Sequence, residues 1–371
     1  MIYLDNAATT KPYAEVVETI TDVLSNSWGN ANSAHEFGHK SKEIIESVRD
    51  QIAADINCKP EEIIFTSSGC EANSLALNSI PDGYDFFTTR IEHASILEAA
   101  KHMEKVHYIS NDEYGNITAE SLTKVIKWSG ISNSNKPFVS ICGANSEIGV
   151  IQDIKALSDV VHKFDGILHC DMTALYPQQS IDVNELGIDM MTVSAQKFHA
   201  TEGVGFLYVR NGININPIIY GSQENGLRGG SYNTALIAGM GKALEITRGQ
   251  VGYNHLRDSL LEGLLKIPGV SLNGPVVGSN RLDGNISITI EDVDADTLLS
   301  VCDIYGICIS KGSACHSYQK EPSPTLKAIG LTYEQAMQTI RISIDSTNTY
   351  DDIEKALSIF PGIIDEIRKT Y

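Results

Sequence analysis

Five short segments carry residues able to do chemistry, and each lies at or just after a short apolar run. Thr66-Ser67-Ser68-Gly69-Cys70-Glu71 is a small, hydroxyl-bearing turn that opens a helical pattern. Backbone N–H groups at a helix start, with the positive end of the helix dipole, suit an anion such as phosphate. Plain capping of a helix by Ser or Thr produces the same sequence. His93, in Arg90-Ile91-Glu92-His93-Ala94-Ser95, could stack on a flat ring or move protons, or simply cap a helix. Asp171 ends Leu168-His169-Cys170-Asp171. A carboxylate there is costly to bury unless a cation or hydrogen-bond donors meet it, and a protonated pyridine nitrogen would qualify. A helix N-cap is the plainer alternative.

Lys197 lies in Ser194-Ala195-Gln196-Lys197-Phe198-His199, after the apolar run 190–193 and before Gly203-Val204-Gly205-Phe206. An amine desolvated beside a buried strand has a lowered pKa and can form a Schiff base. A lone lysine is otherwise ordinary solvated surface. Cys315 lies in Ser310-Lys311-Gly312-Ser313-Ala314-Cys315-His316-Ser317. Small neighbours suit an exposed loop, and Lys311 and His316 would favour the nucleophilic thiolate. An inert loop cysteine fits those residues equally well.

The elements that must position these groups follow from hydrophobic patterning. Strands are predicted at 62–66, 85–89, 138–142, 167–170, 190–193 and 205–209, several of them continuously apolar, as strands covered on both faces are. Helical spacing marks 14–25, 40–56, 93–105 and 154–164. Alternation of this kind predicts an α/β fold with a mainly parallel sheet flanked by helices, whose ligands gather at the carboxyl ends of strands. Beyond about residue 245 the pattern changes to a long helix at 247–267, a strand at 285–290, a helix at 295–305, a strand at 308–310 and a closing helix at 350–369. That reads as a smaller α+β domain.

The 371 residues suggest about two domains, and 42% hydrophobic composition allows a sizeable core. A net charge of −19 argues against nucleic acid and acidic lipid as partners. No apolar run is long enough to span a membrane, and Met1-Ile2-Tyr3-Leu4-Asp5 lacks the regions of a secretion signal, so a cytoplasmic location is expected. Seven cysteines without a CxxC pair argue against a disulfide framework and a structural zinc site, and no metal is expected.

In order and spacing, these segments resemble the cysteine desulfurases of the NifS/IscS type, in the class V aminotransferase group of pyridoxal-phosphate (PLP) enzymes. The likeness begins at Tyr3-Leu4-Asp5-Asn6-Ala7-Ala8-Thr9-Thr10 and continues through Trp28-Gly29-Asn30, Phe37-Gly38 and Ala144-Asn145-Ser146-Glu147-Ile148-Gly149. It extends to Ser310–Ser317 and Glu321-Pro322-Ser323. The resemblance implies a PLP-binding domain at 13–245, with 1–12 and 246–371 forming the small domain that carries Cys315. Lys197 would hold PLP and then move the substrate's α-proton. Asp171 would keep the pyridine nitrogen protonated, His93 would stack on the ring, and Asn145 would lie near its 3-oxygen and the substrate. Gly69, Cys70, Ser194 and Gln196 would surround the phosphate, joined by Ser231 from the neighbouring subunit of a homodimer. Arg341 would pair with the carboxylate of L-cysteine. Cys315 would take the sulfur as a persulfide for an acceptor protein, such as an iron–sulfur scaffold, leaving alanine.

The chain departs from the family at several of these positions. Asp171-Met172-Thr173-Ala174 stands where the family has Asp-Ala-Thr-Gln, Gln196-Lys197 where it has His-Lys, Cys70 where it has threonine, and Lys311 where it has serine. Three polar contacts worth about 1 kcal/mol each are weakened or lost, which would lower cofactor affinity, with Gln178 or Gln179 as conceivable substitutes. The departures leave two alternatives open: another PLP reaction (a lyase, an epimerase, or a desulfurase of altered substrate choice), or a weakly active scaffold.

Overall fold

The computed structural model describes residues 1–130, 135–248, 252–312 and 321–370. Its centre is a seven-stranded sheet in the order Ile63–Thr66, Gly205–Val209, Met190–Ser194, Ile167–Asp171, Lys136–Cys142, Tyr84–Thr89, Val106–Ile109. The last five strands run parallel to one another, and only Gly205–Val209 runs against its neighbours. The sheet is buried on both faces, as its apolar runs require. Neighbouring residues point to opposite faces. Ile64, Phe86, Phe138, Met190 and Leu207 therefore pack into one core with Ala72, Leu75 and Ala76 of the helix Gly69–Asn78. Phe65, Phe87, Val139, Met191 and Phe206 pack into the core on the other side.

Register brings the reactive positions to one edge. Asp171 pairs with Cys142 on one side and Thr192 on the other, while Gly205 pairs with both Ser194 and Thr66. Four strands thus deliver their carboxyl ends to one edge, with Gly205 at the start of its strand between Thr66 and Ser194.

A second core lies against a three-stranded antiparallel sheet of Val270–Leu272, Asn285–Ile290 and Thr339–Ser343. Ile286, Ile288, Ile290, Ile340 and Ile342 face the helices Asn254–Leu264, Ala295–Ile304 and Tyr350–Thr370. Ile2 and Leu4 join this core, because Ile2–Tyr3 pairs in parallel with Ile307–Cys308.

Some elements differ from the sequence reading. The helix expected at 247–267 is two helices, Thr234–Arg248 and Asn254–Leu264. Gly252 between them has φ +67°, a left-handed conformation that no α-helix interior contains. The helix expected over 93–105 is Ala94–Ala100, and the strand Val106–Ile109 begins soon after. Among the described residues no helix is long and apolar enough to cross a membrane.

Candidate active site

A cavity of about 450 Å³ opens at the carboxyl edge of the large sheet and is closed on its far side by the small sheet. Gly69, His93, Asn145, Asp171, Lys197 and Arg341 all line it, from segments scattered over most of the chain.

One end is built for an anion. The strand Ile63–Thr66 stops, Ser68 accepts a hydrogen bond from the Glu71 N–H at 3.1 Å, and the helix Gly69–Asn78 starts with its first turn on the cavity. A Cβ at Gly69 would stand 3.3 Å from both Ser194 Cβ and Thr173 Oγ1, so the backbone there sits close against the next two strand ends. Thr173 Oγ1 is buried and has no hydrogen-bond partner among the described residues. Glu71 would repel an anion if it faced one. Instead, Ser67 N–H (2.8 Å) and Arg228 Nε (2.7 Å) bind it. Burial raises its pKa, but those bonds prevail and hold it below the usual carboxylate range. Cys70, Ser194 and Gln196 also line this end.

Asp171 is 6% exposed. Its Oδ2 accepts from Asn73 Nδ2 at 2.7 Å and its Oδ1 from the Thr173 N–H at 3.0 Å. Those donors make the buried charge tolerable while leaving it on the cavity wall. Asn73 was not foreseen. It is the one amide among the buried side chains of its helix, and that isolated polarity was its only sequence signal.

His93 caps the helix Ala94–Ala100, its Nδ1 meeting the Ser95 N–H at 3.2 Å and Ser95 Oγ at 2.7 Å. His93 thus makes the helix cap expected of it, and it also lines the cavity. Asn145 is a strut: its Nδ2 donates to Ile91 O at 2.7 Å, and its Oδ1 accepts from the N–H groups of Glu147 (2.8 Å) and Ile148 (2.9 Å). Between them, Glu92 is 4% exposed, and burial pushes its carboxyl up to about 8.

Lys197 closes a single 3-10 turn after Met190–Ser194. Its Nζ donates to Ala7 O at 2.7 Å and to Ala8 O. The N-terminal segment is in turn tied to the lysine loop. The Thr10 N–H and Oγ1 donate to Gln196 O at 3.0 and 2.9 Å, and His199 pairs with Asp345 at 3.2 Å.

Arg341 alternates with Ile340 and Ile342, so while those enter the small core its guanidinium faces the cavity. It is 1% exposed, with Nη2 donating to Asp5 Oδ1 at 2.8 Å. Its Nε is buried with no partner among the described residues.

The remaining expectations divide. Of the two nearby glutamines, Gln178 lines the cavity beside Ala174. Ser231 is exposed and does not line the cavity of its own chain. Cys315 lies outside the described residues, which stop at Gly312 and resume at Glu321.

Residues 2–356 match the aminotransferase class-V family. Cysteine desulfurase IscS 1 of Archaeoglobus fulgidus is 36% identical over 383 residues, covering 99% of this chain and 98% of its own. Cysteine desulfurase IscS of Dictyoglomus turgidum is also 36% identical, covering 99% of this chain and 95% of its own. The NifS-like protein of Rickettsia africae ESF-5 superposes with a TM-score of 0.90 at 33% identity, covering 98% of this chain and 99% of that one. SspA, solved in complex with cysteine, superposes with a TM-score of 0.81 at 30% identity, covering 93% of this chain and 99% of that one. With a family match over residues 2–356 and relatives alike over nearly the whole chain, the chain belongs to the aminotransferase class-V family.

Proposed function

We propose that this protein is a PLP-dependent cysteine desulfurase that converts L-cysteine to L-alanine and passes the sulfur, as a persulfide on Cys315, to an acceptor protein. The observation that carries this reading is the convergence of Lys197, Asp171 and Arg341 on one cavity, in a chain matched by cysteine desulfurases over 99% of its length.

Enzymes of this family use PLP, and the donor set here suits it. The first turn at Gly69–Cys70, with Ser194, Gln196 and the unpartnered Thr173 Oγ1, would hold the phosphate. Asp171 would meet the ring nitrogen, with Asn73 keeping the carboxylate aimed. Bound PLP supplies an electron sink for the bonds at the substrate's α- and β-carbons. Lys197 would attach the cofactor and then move the proton at the substrate Cα. Arg341 would orient the substrate by its carboxylate, its unpartnered Nε being the available donor. His93, on the cavity wall, would stack on the ring and exchange protons with the sulfur.

The Cys315 thiolate would attack the substrate sulfur. A sulfur–sulfur bond forms, the carbon–sulfur bond breaks, and its electron pair ends, with a proton, as the methyl of alanine. One cysteine thus yields one alanine and one persulfide. Ser231, exposed on its own chain, would complete the phosphate site of a second copy in a homodimer.

The test is the holoenzyme with L-cysteine and a thiol reductant, which should release alanine and sulfide in equal amounts. Cys315→Ala should stop both. Alanine formation by Cys315→Ala at the parental rate would overturn the persulfide role, and faster turnover of another amino acid would overturn the substrate assignment.

A further inference from the structure

Asp171, Asn73, Ser95 and His93 stand in one line of hydrogen bonds, and the donor at each step is fixed. Asp171 Oδ2 accepts from Asn73 Nδ2 at 2.7 Å. With the amide turned over, Asn73 Oδ1 would face that carboxylate, acceptor against acceptor, so the charge on Asp171 decides which way the amide points. Asn73 Nδ2 also donates to Ser95 Oγ at 2.9 Å, while Oδ1 goes without a partner among the described residues. Ser95 Oγ therefore accepts on that side. Among the described residues its own hydrogen has one acceptor in reach, His93 Nδ1 at 2.7 Å. The Ser95 N–H points at the same ring nitrogen from 3.2 Å.

Two donors thus meet one nitrogen. A hydrogen on Nδ1 would face both of them, so Nδ1 keeps its lone pair, and the neutral ring carries its hydrogen on Nε2. Nε2 lies across the ring from the cap, and the ring lines the cavity. An imidazole in this form gives a hydrogen bond through Nε2. It cannot take a proton there, because that nitrogen already holds one. Glu92, the preceding residue, is occupied elsewhere: its Oε1 accepts from Thr89 Oγ1 at 2.6 Å.

We propose that Ser95 and Asn73 are positioning residues that set the hydrogen of His93 on Nε2, so that His93 serves the substrate's sulfur as a hydrogen-bond donor and not as a base. Asp171 is the origin of this relay. Its charge orients Asn73, Asn73 occupies one side of Ser95 Oγ, and Ser95 gives its hydrogen to the ring. One carboxylate would thus govern both the cofactor nitrogen it is proposed to meet and the histidine proposed to stack on the cofactor. The inference rests on the role proposed for His93 toward the sulfur, and narrows the exchange of protons there to the giving of a hydrogen bond.

The hydrogen is located by nitrogen-15 magnetic resonance of the full-length protein with labelled histidines, because ring nitrogens with and without a hydrogen resonate far apart. Spectra are recorded without PLP, at a pH where the ring is neutral, and His93→Gln assigns the signals. In the parent, Nδ1 should be bare and Nε2 should carry the hydrogen. Ser95→Ala should raise the ratio of rings with the hydrogen on Nδ1 to rings with it on Nε2 by about three- to tenfold, the worth of one neutral hydrogen bond. Ser95→Thr keeps the hydroxyl and should restore the parental ratio. Asp171→Asn should raise the ratio by a similar factor, since Asn73 turns over and draws the Ser95 hydrogen away from the ring. Both neutral forms carry the same net charge, so that change reports the relay and not the lost charge. In turnover of L-cysteine by the holoenzymes, His93→Gln keeps a donor but supplies no base. It should form alanine about 10- to 150-fold faster than His93→Ala, the worth of a hydrogen bond to a charged sulfur.

A hydrogen on Nδ1 of the parent would overturn the proposal outright. A parental ratio in Asp171→Asn would overturn the relay, and equal alanine formation by His93→Gln and His93→Ala would overturn the donor role. If Ser95→Ala does not fold, Asp171→Asn decides, because it reaches the ring without altering the helix that His93 caps. A parent that forms no alanine from L-cysteine refutes the proposed function, and the spectra still report where the hydrogen sits.

Discussion

Replacing Asp171 by asparagine should isolate the charge proposed to face the cofactor ring. The substitution keeps the shape of a side chain that is 6% exposed. It also keeps its hydrogen bonds, for a reason visible in its neighbour. Asn73 Oδ1 is buried without a partner among the described residues, while its Nδ2 bonds both Asp171 and Ser95 Oγ. If the Asn73 amide turns over, Oδ1 can accept from the new Nδ2 at position 171 and the Thr173 N–H still finds an oxygen, while the one hydrogen of the Ser95 hydroxyl turns from His93 Nδ1 to Asn73. The exchange gives up one neutral hydrogen bond, so the unliganded protein should lose no more than about 1 kcal/mol of stability. What disappears is the negative charge that, on the proposed reading, would stand opposite a protonated pyridine nitrogen. A hydrogen bond to a charged group contributes about 1.5–3 kcal/mol, so PLP should bind about 10- to 150-fold more weakly. Titration of the unliganded protein with PLP, followed by visible absorbance, measures this directly. Alanine formation should fall further than occupancy alone explains, because the ring nitrogen also sets the cofactor's capacity to accept electrons. Unchanged PLP affinity and unchanged alanine formation in a folded Asp171→Asn protein would show that this carboxylate does not meet the ring.

Arg341→Lys should raise KM for L-cysteine by about 10- to 100-fold with a smaller change in kcat, because a lysine reaches the carboxylate without the planar fork and cannot also keep the 2.8 Å bond to Asp5. An unchanged KM would place the substrate carboxylate elsewhere. A pH dependence follows from Glu92, whose carboxyl is driven up to about 8 by burial and, secondarily, by the charge of Asp171 against the hydrogen bond from Thr89. A group whose pKa is raised on folding contributes its stability in full below its unfolded value, here near 4.5, and loses it as pH climbs through about 8. Glu92→Gln should therefore flatten the decline in urea resistance of the unliganded protein between about pH 5 and about pH 9. Superimposable declines for parent and variant would mean that Glu92 does not carry a raised pKa.

The edge of the large sheet was legible in the sequence because its information is local. Asp171, Ser194 and Thr66 each stand at the end of an apolar run, and strand pairing, parallel between the strands of Asp171 and Ser194 and through the antiparallel Gly205–Val209 to Thr66, then brings them to one edge. The contacts that aim these groups were not legible, because each joins residues far apart in the chain. Asn73 reaches Asp171 across 98 positions, Ser323 reaches Glu147 across 176, and Arg341 reaches Asp5 across 336. Composition and periodicity record none of these pairings. Periodicity also misled where it ran on: apolar spacing continues from 247 to 267 and gives no weight to the left-handed turn at Gly252. At Thr339–Ser343 the opposite happened. The alternation of Ile340 and Ile342 with Arg341 is a period-two pattern that marks a strand with one face in the core, and it places the guanidinium on the other face.

The departures at Ala174 and Gln196 gain a physical meaning from the same geometry. Both line the cavity, so the contacts they replace would be lost at the proposed cofactor site and not at a remote surface. The groups around them are held by bonds that owe nothing to either residue's side chain: Asp171 by Asn73 and Thr173, Lys197 by the carbonyls of Ala7 and Ala8, Arg341 by Asp5. Weaker retention of PLP and intact aim of the reacting groups can therefore coexist in one protein. Affinity depends on the sum of contacts, whereas proton movement at Cα depends on the placement of one amine.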